Sequence, residues 1–209
     1  MRAAITIATL WACGSVSLHA QAGGRPNSRP GFWIGFGPGA GYSAGLSCPC
    51  PTKDGSGRLS GYARLGGTLS RSVLLGFEAI GWRRSAIEEM GSATTQTHES
   101  ISYGSVILLW YPSPTSPLYL KAGLGGMRYR EEVGGGGDIE IRGLVLTATA
   151  PSASLGIGYE VRMGRKFSLV PYLNGLTSSA VQEHVNVQFY PTEDVSITLV
   201  QFGLGVTWR

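Results

Sequence analysis

Two residues with the spacing of a nucleophilic pair lie near the middle of the sequence. His98 and Ser100 stand two apart in His98-Glu99-Ser100. Alternate residues share one face of a β-strand, so a serine–histidine contact is geometrically conceivable there. A three-residue pattern arises easily by chance, and His98 lies where a loop enters a strand. We therefore predict no catalytic residues.

A second candidate is the pair Cys48 and Cys50, separated by Pro49. A disulfide between them would close a tight and strained ring. A metal site would need further ligands, and none cluster nearby in the sequence. The sequence allows either a disulfide that closes the loop or two free thiols in the loop. We predict no cofactor and no metal.

Two pairs of neighbouring glutamates and a run of glycines are the remaining candidates for catalysis or phosphate binding. Glu88-Glu89 and Glu131-Glu132 fall in predicted loops, where solvated charge explains them. The run Gly134 to Gly137 is not followed by Lys-Ser/Thr, so it predicts a flexible loop tip and not a phosphate loop.

The N-terminus has the features of a secretory signal. Arg2 supplies the positive charge, residues 3–18 are uncharged, and Ala20-Gln21-Ala22 is a small-x-small cleavage site. We predict a cleaved signal peptide over residues 1–22. Lipoprotein processing at Cys13 is the alternative, although Trp11 fits that motif poorly.

Composition favours a membrane barrel over a soluble enzyme. Only 14% of the 209 residues are charged, 32 are glycine, and no long apolar run follows the signal. A barrel turns half of its strand residues to lipid and packs small ones inside. The net charge of +4 comes from scattered basic residues and gives no nucleic-acid signal. We predict a short linker over residues 23–31 and one barrel domain over residues 32–209.

Alternation with a period of two predicts eight strands. Each is expected to turn its apolar face to lipid and its small or polar face to the interior. In the fourth strand the odd positions from Ile101 to Tyr111 form the predicted apolar face, opposite Val106 and Leu108. The eight segments are 32–44, 59–69, 73–82, 99–111, 118–129, one ending near Val161, 167–176 and 200–208.

Short and long connections alternate along these segments. Up-and-down membrane barrels have this arrangement, with short periplasmic turns and long external loops. An additional hairpin over residues 184–190, which would give ten strands, stays open because those residues alternate weakly. The short connections centre on 70–72, 112–117 and 163–165, and the long ones span 45–58, 83–98, 130–147 and 177–194.

Aromatic residues fall near the expected interfaces. Trp110, Tyr111 and Trp208 are predicted for a belt on the short-turn side, and Tyr42 and Tyr129 for one on the long-loop side.

Four charged residues fall on predicted interior faces: Arg64, Glu78, Lys121 and Glu160. A hairpin centred on Arg71 places Arg64 directly opposite Glu78. We predict an Arg64–Glu78 ion pair, and a second between Lys121 and Glu160 on neighbouring strands. Charges away from water must be paired, so these residues are expected to plug the lumen.

The chain resembles the small eight-stranded outer-membrane barrels of Gram-negative bacteria, the OmpA/OmpX/OmpW-like class. The resemblance rests on Ala20-Gln21-Ala22, the alternating strands, the loop parity and the ending FGLGVTWR, in which Arg209 follows the usual final aromatic. It implies the outer membrane as location, with its lipid and lipopolysaccharide as surroundings. It also implies recognition of the last strand by the barrel assembly machinery, through Phe202, Leu204, Val206 and Trp208.

We expect a non-enzymatic barrel with an envelope-structural or surface-interaction role. One alternative is a narrow pore or carrier for small or apolar solutes, as the resemblance to OmpW-like barrels implies. The other is a lipid A-modifying enzyme, since one family of lipid A deacylases uses a His-x-Ser pair similar to His98-Glu99-Ser100.

Overall fold

The computed structural model describes residues 31–44, 58–90, 93–136, 144–179, 184–185 and 196–209. The predicted signal peptide and both Cys48 and Cys50 lie outside these residues. Within the described ranges, no helix is long and apolar enough to cross a membrane. The main strands are β1 (Phe32–Ala44), β2 (Leu59–Thr68), β3 (Val73–Met90), β4 (Ala93–Trp110), β5 (Leu118–Gly136), β6 (Leu144–Tyr159), β7 (Phe167–Ser178) and β8 (Thr198–Trp208).

These eight strands form a closed antiparallel barrel. Each pairs with its sequence neighbours, and β8 returns to pair with β1, with Phe202 opposite Ala40. The predicted eight-stranded up-and-down topology is therefore confirmed. Two further strands of two residues each extend existing ladders: Val161–Arg162 continues the pairing of β6 with β7 in the same register, and His184–Val185 pairs with the outer part of β6. The described part of 184–190 thus adds no ninth and tenth barrel strands.

The predicted faces are observed in every strand except β4. There Val106 and Leu108 face outward, while Ile107 and Leu109 are buried inside. Directly paired residues share a face of a sheet, and Val106 is paired with Phe77 on one side and Leu124 on the other. Because β4 is apolar on both faces, its own alternation could not decide which one meets lipid.

Four strands continue beyond the predicted membrane segment. β3 runs to Met90, β4 begins at Ala93, β5 runs to Gly136 and β6 begins at Leu144. Much of the predicted long connections 83–98 and 130–147 is therefore strand. Backbone pairing does not require apolar side chains once the sheet stands in water, so the end of apolar alternation does not mark the end of a strand.

An aromatic girdle surrounds the short-turn end of the barrel. Trp110 and Trp208 face outward there as predicted, whereas Tyr111 and Tyr129 are only 0% and 2% exposed and lie inside. Their assignment to the belts was wrong, because they follow the inward register that cross-strand pairing imposes on β4 and β5. Three further residues complete the girdle: Phe32, Tyr159 and Phe167.

Candidate functional site: the filled lumen and the outer surface

The outer half of the lumen is filled by an aromatic and apolar cluster. Trp82, Tyr103, Tyr129, Tyr172 and Leu199 are among its members, and all are buried. Tyr172 meets Tyr62 edge to face, with ring centroids 4.7 Å apart. The Trp82 indole donates a hydrogen bond to the carbonyl of Gly41 at 2.9 Å. These side chains close the lumen near its outer end.

A second apolar cluster fills the lumen nearer the short turns. Trp33, Leu74, Leu109, Tyr119 and Val170 belong to it, and each is at most 2% exposed. An eight-stranded barrel is just wide enough for side chains to fill its interior. The small-residue face of β1 makes room for this packing, since a Cβ at Gly35 would press against the Arg64 side chain.

Charged groups lie between the two clusters. The Lys121 ammonium forms a salt bridge with the Glu78 carboxylate, and both side chains are fully buried. The Arg64 guanidinium donates hydrogen bonds to the hydroxyls of Tyr119 at 2.8 Å and Tyr62 at 3.1 Å. It also lies 4.5 Å from the centroid of the Tyr62 ring, a cation–π distance.

The structure places all four predicted charged residues in the interior, but with different partners. Arg64 stands opposite Glu78 in the β2–β3 register, yet the Glu78 carboxylate turns to Lys121 on β5. The intervening inward position on β4 is Ser105, which is small enough to let Lys121 reach across. Strand neighbours alone did not indicate this diagonal contact.

Glu160 is paired with Arg209 and not with Lys121, the partner predicted from the sequence. One guanidinium nitrogen donates to the Glu160 carboxylate at 2.9 Å, and the Tyr111 hydroxyl donates to the same carboxylate at 2.6 Å. The Arg209 amide also donates to the carbonyl of Lys166 at 3.0 Å. The alternation of β8 contained the signal, because Trp208 faces outward and position 209 must then face inward. Together these contacts cover the short-turn mouth of the lumen.

An amide and hydroxyl network joins the strands on either side of β1. Gln201 donates to Ser60 at 2.7 Å and accepts from Asn174 at 3.0 Å. Ser60 in turn donates to the carbonyl of Gly81 at 3.0 Å. All three polar side chains are buried, so the network satisfies groups that cannot reach water.

His98 and Ser100 of the His98-Glu99-Ser100 motif bind other partners and do not pair with each other. His98 Nδ1 lies 2.9 Å from the hydroxyl of Ser85, while Ser100 donates to the carbonyl of Arg130 at 3.4 Å. Glu132 is paired opposite His98, but its carboxylate forms a salt bridge with Arg130. Within the described ranges, no cluster of metal-ligating side chains is present.

An acidic residue and a basic residue face each other at the outer mouth. Arg84 on β3 is paired opposite Glu99 on β4, with 3.9 Å between their charged atoms. Burial raises the pKa of the Glu99 carboxyl, and the neighbouring guanidinium opposes that rise.

The closed ring, the apolar outward faces, the aromatic girdle and the packed polar interior define a transmembrane β-barrel of the outer-membrane type. Neither a protein-family model nor a curated protein matches the sequence. Solved structures do match.

One is Ail, the attachment invasion locus protein of Yersinia pestis, in complex with the heparin analogue sucrose octasulfate. It has a TM-score of 0.57 at 9% identity and covers 86% of this chain and 98% of its own. Another is Neisserial surface protein A, with a TM-score of 0.47 at 13% identity, covering 85% and 96%. The similarity to Ail is a similarity of fold. This chain therefore has the fold of the eight-stranded outer-membrane barrels.

Proposed function

We propose that the protein is a non-conducting, non-enzymatic barrel with an envelope-structural or surface-interaction role. The filled lumen carries this proposal. An apolar cluster lies on each side of the Glu78–Lys121 salt bridge, so an ion would have to cross two dry layers. Desolvating an ion in such layers is costly, which favours a plug over a path.

The outward extension of β3 to β6 supports a role at the cell surface. These strands exceed the barrel strands β2 and β8 by at least five residues each. Ten residues separate Trp110 from Ser100 in β4, which at a rise of about 3.3 Å and a tilt of about 40° spans roughly 25 Å of membrane. The rest of β4 therefore stands beyond the hydrocarbon region, where it meets the surroundings of the cell.

Conductance in planar lipid bilayers tests the proposal. We expect the folded protein to insert without producing stable current steps, because both clusters exclude water. Insertion is verified separately by protease protection of the same protein in vesicles. Reproducible unitary currents from inserted protein would contradict a closed lumen and favour the pore alternative. The double variant Trp82→Ala with Tyr103→Ala removes two large side chains from the outer cluster and leaves the inner cluster intact. This variant is therefore also expected not to conduct.

We also propose that the outward row of β8 is read by the barrel assembly machinery. Phe202, Leu204 and Trp208 project from the outer face of the closing strand, and Val206 lies in the same row. Alanine at Phe202 and Trp208 is expected to lower the amount of folded barrel in cells without preventing refolding of the purified chain in detergent. Equal loss in both settings would instead indicate a purely structural role.

A further inference from the structure

A groove crosses the outward faces of β1 to β4 where the hydrocarbon band ends. Its volume is about 930 Å³, which is within the range of about 300–1,000 Å³ typical of ligand sites. The floor consists of small residues in two adjacent rows of cross-strand pairs. Ala63, Ala79 and Gly104 form one row, and Gly61, Gly81 and Ser102 form the other.

Large apolar side chains stand next to the groove on the side of the short turns. Leu65, Phe77 and Val106 occupy the next outward row and are about half exposed or more. A Cβ placed on Gly81 or Gly104 would meet nothing within 4 Å. The floor is therefore open to an apolar occupant from outside the barrel.

Arg83 lines the groove on its other side, and two further arginines on β5 are paired with lining residues of β4. Arg83 and Arg130 flank Ser100 in the row above the floor, and Arg128 is paired opposite Ser102. The Arg130 side chain is bound to Glu132, whereas the side chains of Arg83 and Arg128 form no hydrogen bond or ion pair with any described residue. Since Ser100 lies roughly 25 Å from the girdle, these guanidinium groups stand at the level of the outer headgroups.

We propose that this groove binds one lipopolysaccharide molecule of the outer leaflet. Its acyl chains pack on the floor between Phe77 and the arginines, and a phosphate accepts hydrogen bonds from Arg83 and Arg128. An uncharged lipid would leave these two guanidinium groups without an anion, and a zwitterionic lipid would bring its own cation next to them. A soluble anionic glycan would leave the apolar floor uncovered. The phosphorylated glycolipid complements both parts, and the inference holds whether or not the lumen conducts.

Titration of the refolded protein with lipid A, followed by native mass spectrometry, tests this site. One variant fills the floor with Gly81→Leu and Gly104→Leu, and another removes the arginine charge with Arg83→Gln and Arg128→Gln. The matched controls are Gly175→Leu, an outward glycine on β7 that is equally open, and Arg165→Gln, an exposed arginine at the short turns. Heat-dependent gel mobility establishes that each variant is folded.

We expect the wild type and both controls to retain one lipid A molecule with similar affinity. The arginine variant is expected to lose about tenfold or more in affinity, as the removal of two interfacial cations predicts. The leucine variant is expected to lose a similar factor because its side chains occupy the floor. Dephosphorylated lipid A should bind the wild type as weakly as lipid A binds the arginine variant, and inorganic phosphate should not compete at millimolar concentration. Equal retention by all variants would show non-specific annular lipid and overturn the proposal. If the leucine variant does not fold, the arginine variant and the dephosphorylated lipid still decide the outcome.

Discussion

Lys121 on β5 and Glu78 on β3 form a fully buried salt bridge across the strand that separates them. The second Glu78 oxygen, Oε2, has no hydrogen-bond partner among the described atoms. The neighbouring Ser105 hydroxyl is also unpartnered. The centre of the plug thus depends on one charge pair with little alternative solvation.

Removal of one partner of this pair is expected to destabilise the barrel strongly. Lys121→Met removes the ammonium that contacts the buried Glu78 carboxylate, and breaking such a pair costs about 3–5 kcal/mol in comparable sites. The double variant Lys121→Met with Glu78→Gln should recover most of that loss. Urea unfolding in detergent micelles, followed by gel mobility, measures the free energy of unfolding.

Urea unfolding also distinguishes the observed Lys121–Glu78 pair from the Arg64–Glu78 pair that the sequence predicted. In a double-mutant cycle, Glu78 should couple more strongly to Lys121 than to Arg64, because only the Lys121 ammonium reaches its carboxylate. A larger coupling between Arg64 and Glu78, or no rescue by the double variant, would contradict the observed geometry.

Arg209 is expected to stabilise the short-turn end. Arg209→Gln removes charge-assisted hydrogen bonds to Glu160 and should cost about 1.5–3 kcal/mol of unfolding free energy. Arg209→Lys, which keeps the charge but not the fork of donors, should lose less. Bilayer conductance should remain absent in both variants, since the inner apolar cluster still closes the lumen. An unchanged urea midpoint for Arg209→Gln would show that the contact contributes nothing.

Two glycines on adjacent strands are expected to respond oppositely to alanine. A Cβ at Gly125 would overlap the carbonyl oxygen of Gly104, so Gly125→Ala requires a backbone shift. A Cβ at Gly104 would meet nothing within 4 Å. We expect a loss of about 1–3 kcal/mol for the first and little change for the second. Thermal unfolding of the two variants side by side checks this, and equal stabilities would argue against the close approach of β4 and β5.

Alanine at Ser85, His98 or Ser100 is expected to leave cellular lipid A unchanged. His98 contacts Ser85, but Glu132 opposite it is held by Arg130, so no carboxylate of the described residues orients the imidazole. Mass spectrometry of lipid A from cells that express wild-type or variant protein measures the acyl-chain pattern. Loss of an acyl chain that requires Ser85 or Ser100 would establish the enzymatic alternative.

Alternation in the sequence predicted the outward face correctly where one face of a strand is apolar and the other is small or polar. In β8, Phe202 and Leu204 stand against Gln201 and glycines, and the observed faces match the prediction. In β4, Val106 and Ile107 are equally apolar, so the sequence offered no contrast. The extension of β3 to Met90 was missed for a related reason, since strand pairing in water needs no apolar face.

The amino-acid sequence by itself determined the barrel, its eight strands and the interior position of its four strand charges. Those features follow from a side-chain period of two, which each segment carries locally. Only the tertiary structure decided which charges meet. Lys121 reaches Glu78 because Ser105 leaves space between them, and Arg209 reaches Glu160 because closure of β8 on β1 fixes where β8 ends. These contacts depend on shear, strand tilt and the volume of intervening side chains, which no single strand encodes.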